Sequence, residues 1–190
     1  MSPPTDPPDA TATSIRPATE NDAPALAAIY LPYVTETSVS FEQHPPDASE
    51  MARRMTAAPG LPWLVAEVDG LIAGYAYASP HRLRHAYRWS ADCSVYLSAG
   101  FHRRGWGRRL YTALFCELRE LGYVNVFAGV TQPNPASVAL HEAMGFAPVG
   151  VYRSVGFKAG GWHDVGWWQL VLDTDPPNPP EDPRPWQRCS

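Results

Sequence analysis

The densest chemistry in the sequence lies between Ser94 and Arg109. An apolar run, Ser94-Val95-Tyr96-Leu97, feeds a glycine- and arginine-rich segment, His102-Arg103-Arg104-Gly105-Trp106-Gly107-Arg108, which opens directly into an amphipathic helix. At a strand-to-helix junction the first backbone N–H groups have no intrahelical partner, and the helix dipole adds positive potential. Glycine lets that backbone approach an anion closely, so a pyrophosphate suits the spot. A Walker loop would need a lysine after the glycines, and a dinucleotide fingerprint would need a third glycine and a later acidic residue. The same residues would also serve as a solvated helix start with no ligand. Just upstream, Ser79–Arg88 gathers Arg82, Arg84, Arg88 and Tyr87. Its planar guanidinium donors match carboxylates and similar anions, or simply solvate a basic loop. Between the two clusters Asp92 stands on an otherwise apolar stretch, where a carboxylate needs hydrogen bonds or a use as proton acceptor.

These residues need a scaffold, and the periodicities describe one. Ser14–Arg16 is strand-like, and Thr19 can cap a helix with Asp22 at its third position and Ala25, Leu26, Ile29 and Tyr30 on its apolar face. Trp63–Val68 and Leu71–Ala78 flank Asp69-Gly70, a strong two-residue hairpin turn. A strand over about Ala91–Leu97 leads to the glycine segment. The helix after it carries Leu110, Leu114, Leu118 and Leu121 on one stripe and stops at Gly122. Val124–Val130 predicts a strand, Ala136–Met144 a short helix ended by Gly145, and Val165–Leu172 a closing strand. This alternation is α/β: a mixed sheet with helices on both faces.

Composition narrows the function. The chain has 190 residues, 45% hydrophobic and 18% charged, with a net charge of −4, enough for one domain with a real core and too acidic for a nucleic-acid platform. No apolar run approaches the roughly 20 residues that span a bilayer, and the first residues do not form a secretory signal, so no membrane role is expected. Cys93, Cys116 and Cys189 are too scattered for a zinc site or disulfide framework, so no metal is expected and a cytoplasmic setting is. Cys93 reads as a small buried strand residue. Many of the 21 prolines crowd the two ends. Hence the expectation of a proline-rich tail over 1–13, a domain over 14–173 and a second solvated tail over 174–190, with Trp186 either a tail aromatic of no role or a ring that docks on the body or on a partner.

From about Ile15 to Leu172 the chain resembles the GCN5-related N-acetyltransferases (GNAT). Their coenzyme A loop, Q/R-x-x-G-x-G/A, is matched by His102-Arg103-Arg104-Gly105-Trp106-Gly107 except at its first position, and Asn134-Pro135-Ala136-Ser137 through Gly145-Phe146 is similar to their second cofactor-side helix. The stretch Gly156-Phe157-Lys158-Ala159-Gly160-Gly161-Trp162-His163-Asp164-Val165-Gly166-Trp167-Trp168 is similar to phosphinothricin N-acetyltransferases in particular. The resemblance implies the single-domain GNAT fold and acetyl-CoA as co-substrate, held by Val95, Tyr96, Leu97, Arg103, Arg104, Gly105, Trp106, Gly107, Arg108, Asn134 and Ser137. It implies a small amino-acid-like acceptor, phosphinothricin or an analogue, held by Arg82, Arg84, Tyr87 and Phe41. Methionine sulfone or sulfoximine is the alternative acceptor, and an acetyl-CoA-binding module without turnover the alternative of another class. Asp92 stands where the subfamily has a glutamate, one methylene longer, and is the expected base. His141 aligns with an active-site histidine and is expected to orient Asp92 or polarise the substrate, and Tyr96 to protonate the leaving thiolate. His163 is expected to bond Asp164. Relatives imply a homodimer.

Overall fold

The computed structural model describes residues 12–58 and 60–187. In chain order the elements are β1 (Thr13–Pro17), α1 (Ala23–Thr35), α2 (Ala48–Ala57), β2 (Trp63–Val68), β3 (Leu71–Pro80), β4 (Ser90–Leu97), α3 (Trp106–Glu120), β5 (Asn125–Thr131), α4 (Pro135–Ala143), β6 (Ala147–Lys158) and β7 (Gly161–Val171). The strands form one seven-stranded sheet in the order β1-β2-β3-β4-β5-β7-β6, antiparallel everywhere except between β4 and β5. The expected mixed sheet with helices on both faces is present. Most of the expected 1–13 tail lies outside the described residues, although Thr13 already belongs to β1.

Local chemistry explains the elements. Asp69 and Gly70 both take positive φ (50° and 77°), the geometry that a two-residue turn between twisted strands demands. Thr19 precedes a short 3-10 turn, Glu20–Asp22, so α1 begins only at Ala23, later than the sequence suggests. Asp22 accepts the Thr19 N–H at 2.7 Å and two hydrogen bonds of 2.8 Å from Arg16. That guanidinium holds its buried carboxyl below the usual range. Helix α2 and strand β6 have no counterpart among the sequence expectations. Asp47 caps α2 by accepting the Glu50 N–H at 2.8 Å, and Met51 and Met55, four apart, are its buried residues.

The two faces of the sheet are built from side chains of different size. Along β3, Ala76 and Ala78 face α3 while Tyr75 and Tyr77 face α1 and α2. Small residues under α3 let Leu110, Leu114 and Leu118 pack to 0% exposure, each contributing about 1.5–3 kcal/mol of burial.

Two features position the site. Strands β4 and β5 pair only over Ser90–Asp92 and Asn125–Phe127, then part, which opens a wedge beyond Asp92. The segment 181–186, within the expected tail, is mostly exposed yet straps the body through single hydrogen bonds. Trp89 Nε1 donates to Glu181 O at 2.7 Å, Arg88 pairs with Asp182 at 2.5 Å, and Arg184 N donates to Leu121 O at 2.8 Å. Trp186 donates its backbone N–H to Gly60 O at 3.0 Å and its indole N–H to Glu117 at 2.9 Å. A proline-rich chain without regular ladders can still dock through single hydrogen bonds and one aromatic ring.

Candidate active site

The wedge and the start of α3 enclose a cavity of about 610 Å³, bordered by Val95, Leu97, Gly105, Gly107, Asn134 and Leu140 among others. Part of its polar wall is backbone. Arg109 N–H makes the first intrahelical bond of α3, to Gly105 O at 3.1 Å, so those of Trp106, Gly107 and Arg108 have none. Arg103 and Arg108 line the same cavity. Arg104 does not; its guanidinium lies 5.8 Å from the Phe101 ring. The glycines have different jobs. Gly105 caps α3 with φ 82°, which favours glycine. Gly107 lies against α4, since a Cβ there would come within 3.2 Å of Leu140.

The β4 edge supplies further groups. Tyr96 pairs with Tyr75, and Ser98 N–H donates to Ala73 O, so alternation turns the N–H and C=O of Val95 and Leu97 toward the wedge. Both Leu97 groups are taken by the Tyr33 hydroxyl, which donates to the carbonyl at 2.7 Å and accepts from the amide at 3.2 Å. His102 Nε2 joins them, 3.1 Å from the Tyr33 hydroxyl. Val95 is left to face the cavity. Orphaned helix amides, flanking arginines and an apolar trough fit a pyrophosphate and its extended arm, so these residues suit acetyl-CoA.

His141 is buried on α4 at the inner end of the wedge, beside Asn134, Ser137 and Ser94. Asn134 Oδ1 caps the helix by accepting the Ser137 N–H at 3.1 Å. The His141 Nδ1 lies 2.8 Å from Ser137 O, and a carbonyl only accepts, so Nδ1 carries the hydrogen. Its Nε2 then accepts from the Tyr111 hydroxyl at 3.1 Å. Burial lowers the His141 pKa, which keeps the ring neutral. The expectation that His141 orients Asp92 is not met, because its ring is committed to α3. Cys93, beside Tyr111, is buried as expected, with its thiol pushed up to about 12 by desolvation.

Asp92 projects from the opposite face of β4. Its Oδ1 lies 2.6 Å from His81 Nδ1. Burial raises the Asp92 pKa, and the His81 hydrogen bond opposes that rise. The His81 ring stacks on Phe127 at 4.1 Å and is edged by Tyr87 and Trp167 at 6.2 and 6.1 Å. Arg82 donates to His81 O at 2.8 Å, with its guanidinium 5.8 Å from the Trp167 ring. Arg84 is exposed and has no side-chain partner among the described residues. Phe41 lies across Gly156, where any Cβ would collide with its ring. Lys158 holds the Phe41 loop by donating to Val34 O and Ser40 O, both at 2.6 Å. Tyr96 sits among Tyr30, Tyr33 and Tyr75, and burial raises its pKa, so the phenol keeps its proton. His163 does not bond Asp164. It contacts Lys158 O at 3.0 Å, while Asp164 accepts from Ser154 N–H and Arg153 where β6 bulges.

His81, Tyr111, Tyr33 and Lys158 are the residues that sequence reasoning passes over. His81 has a legible signal only through register: the β3–β4 pairing sets Ser79 opposite Asp92, and the chain then turns back beside it.

The sequence family described as acetyltransferase (GNAT) domain matches residues 15–167. A phosphinothricin N-acetyltransferase of Streptomyces viridochromogenes is 41% identical over 94% of this chain and 97% of its own length. An L-methionine sulfoximine/L-methionine sulfone acetyltransferase of Salmonella typhimurium is 32% identical over 84% of this chain and 95% of its own. The crystal structure of a phosphinothricin acetyltransferase from Sinorhizobium meliloti in complex with acetyl-CoA superposes with a TM-score of 0.81 at 35% identity, covering 84% of this chain and 88% of that one.

Proposed function

Because the chain belongs to the acetyltransferase (GNAT) family, and is an acetyl-CoA-dependent N-acetyltransferase, we propose that its acceptor is the α-amino group of phosphinothricin or a closely similar amino-acid analogue. Acetyl-CoA supplies the acetyl group as a thioester. The α3 amides with Arg103 and Arg108 hold its pyrophosphate, and Val95 with Asn134 and Ser137 borders its arm. Neutral His141 and Tyr96 stand at the inner end of the wedge, where charge develops on the thioester. Asp92 and its partner draw the proton from the attacking amine, since amines near neutral pH are largely protonated and must lose that proton to attack.

The observation that carries the acceptor is the cationic and aromatic ring around Asp92. Arg82, Tyr87 and Trp167 gather about the His81–Asp92 pair, and Phe41 lies over Gly156 beside His163. A guanidinium over an aromatic wall suits an acceptor with an anionic head and an apolar stem. Arg84 adds a second, unengaged guanidinium on the same loop. The sulfoximine and sulfone of methionine present a similar tetrahedral polar group, and the Salmonella typhimurium relative favours them as the second reading. Thiol release from acetyl-CoA with phosphinothricin, methionine sulfoximine, methionine sulfone and a lysine peptide tests both. Turnover with the peptide alone would overturn the small-acceptor reading. Acetylating phosphinothricin would confer resistance to that herbicide.

The reading extends to assembly and compartment. Strand β6 and its neighbour expose Val149, Val151, Val155, Phe157 and Trp162, from 46% to 67% accessible, and a second copy of the chain is the occupant that fits a homodimer. Free thiols at Cys93 and Cys116 suit the cytoplasm.

A further inference from the structure

The contacts of His81 assign it a role that the carboxylate beside it cannot fill alone. A deprotonated Asp92 only accepts hydrogen bonds, so at 2.6 Å the shared hydrogen belongs to His81 Nδ1. The basic lone pair of the ring is then on Nε2. No described residue partners that nitrogen. It is also not enclosed, because the buried side-chain atoms lacking a partner are the indole nitrogens of Trp167 and Trp168. Nε2 is therefore free and reached by solvent. The ring cannot turn away from this arrangement: it is stacked on Phe127 at 4.1 Å with an interplanar angle of 16°, and walled by Tyr87 and Trp167.

Its place matters as much as its orientation. Phe127 and Asp92 form the last rung of the β4–β5 pairing, so the imidazole stands at the point where the wedge opens. The charged and titratable groups around it are Asp92 from β4 and Arg82 and Tyr87 from its own loop. One carboxylate, one free imidazole nitrogen and no cation bonded to either describe a carboxylate–imidazole dyad.

We infer that His81 Nε2, rather than an Asp92 oxygen, receives the proton of the attacking amine, with Asp92 holding the tautomer and stabilising the imidazolium. This rests on the acetyl-transfer reading above. The amine nitrogen forms its bond to the acetyl carbon as the carbon–sulfur bond breaks, and coenzyme A leaves with that electron pair. The amine proton passes to Nε2 and on to solvent, and the thiolate takes up a proton, giving amide and free thiol. An imidazole nitrogen is in general a stronger base than a carboxylate oxygen, which suits it to this transfer. The dyad also compensates for the side chain that is one methylene shorter than glutamate.

The test is His81→Asn. Its amide nitrogen takes the place of Nδ1 and still donates to Asp92, but nothing replaces Nε2. With the best acceptor of the panel, kcat should fall by about 10²–10⁴ and the acid limb of the pH profile should disappear, while calorimetry gives unchanged acetyl-CoA affinity. His81→Gly, assayed with added free imidazole, should regain activity in proportion to the unprotonated imidazole. If His81→Asn keeps kcat within a few-fold and retains the wild-type acid limb, His81 only positions the carboxylate and the inference is overturned. A wild-type protein that turns over no acceptor overturns the functional reading instead, and this inference with it.

Discussion

Replacing Gly105 by alanine adds one methyl group at the centre of the cofactor loop, and the structure says what that methyl should meet: no heavy atom lies within 4 Å of it. Any penalty therefore comes from the backbone, which sits at φ 82° and ψ −1°. Holding an L-residue there costs about 1–2 kcal/mol. The chain can respond in two ways. If it keeps the turn, the whole cost appears as lost stability. If it lets the turn relax, stability recovers, but the N–H groups of Trp106, Gly107 and Arg108 swing out of the cavity and acetyl-CoA binds less tightly. Both losses draw on one strain energy, so their sum should stay within about 2 kcal/mol. The affinity alone then cannot fall more than about thirtyfold. Denaturant melts give the first quantity and titration calorimetry the second. Gly105→Asn should recover a good part of the loss, because asparagine tolerates this region. A folded Gly105→Ala protein that binds acetyl-CoA several hundredfold more weakly would refute the reasoning, since the methyl would then be striking the ligand itself. Equal behaviour of the alanine and asparagine variants would refute it as well.

Three further outcomes follow from the same geometry. Arg82→Ala should raise the acceptor KM by roughly tenfold to a hundredfold, the usual effect of losing a charge-assisted contact, and leave acetyl-CoA binding unchanged; an altered cofactor affinity would assign the loop to the other ligand. His141 is buried with its pKa below 6.5, so the unfolded chain takes up its proton first as pH falls. Stability should then decline below about pH 6.5 and level off once the folded protein also binds the proton. Melts of His141→Gln should lack that decline, and an unchanged slope would count against the buried neutral ring. Acetyl-CoA at a hundred times its Kd should stabilise the fold by about 2.7 kcal/mol, and no rise in Tm would contradict the cofactor site.

What the sequence discloses depends on whether a signal is local. The β2–β3 hairpin is legible to the residue because Asp69-Gly70 admits few geometries. The α3 stripe is legible because Leu110, Leu114 and Leu118 repeat every four residues on one face, whereas Leu121, expected on the same stripe, falls just past the helix end. Helix α2 is harder, although Asp47, Glu50, Met51 and Met55 carry its cap and its core contact, because it is short and rich in charge. Strand β6 has no inward face to alternate against, since its valines point outward. Within the site, Gly105, Asp92 and Asn134 are read from neighbours in the chain. His81 is not. Its meaning comes from a strand pairing and an aromatic platform on β5, neither of which a lone histidine in a basic loop announces. His141 shows the converse: the motif locates it, but only the Tyr111 hydroxyl and the Ser137 carbonyl decide which nitrogen carries hydrogen.

The strap over residues 181–186 bears on how long the native state lasts. It joins Trp89 across 92 positions of sequence and Glu117 across 69. Neither docking point exists until β4 and α3 are in place, so the strap cannot help nucleate them. Contacts absent from the folding transition state slow unfolding without speeding folding. Trp186→Ala should accordingly raise the unfolding limb of a chevron plot and leave the folding limb where it was. The strap would then prolong the folded state without taking part in its formation.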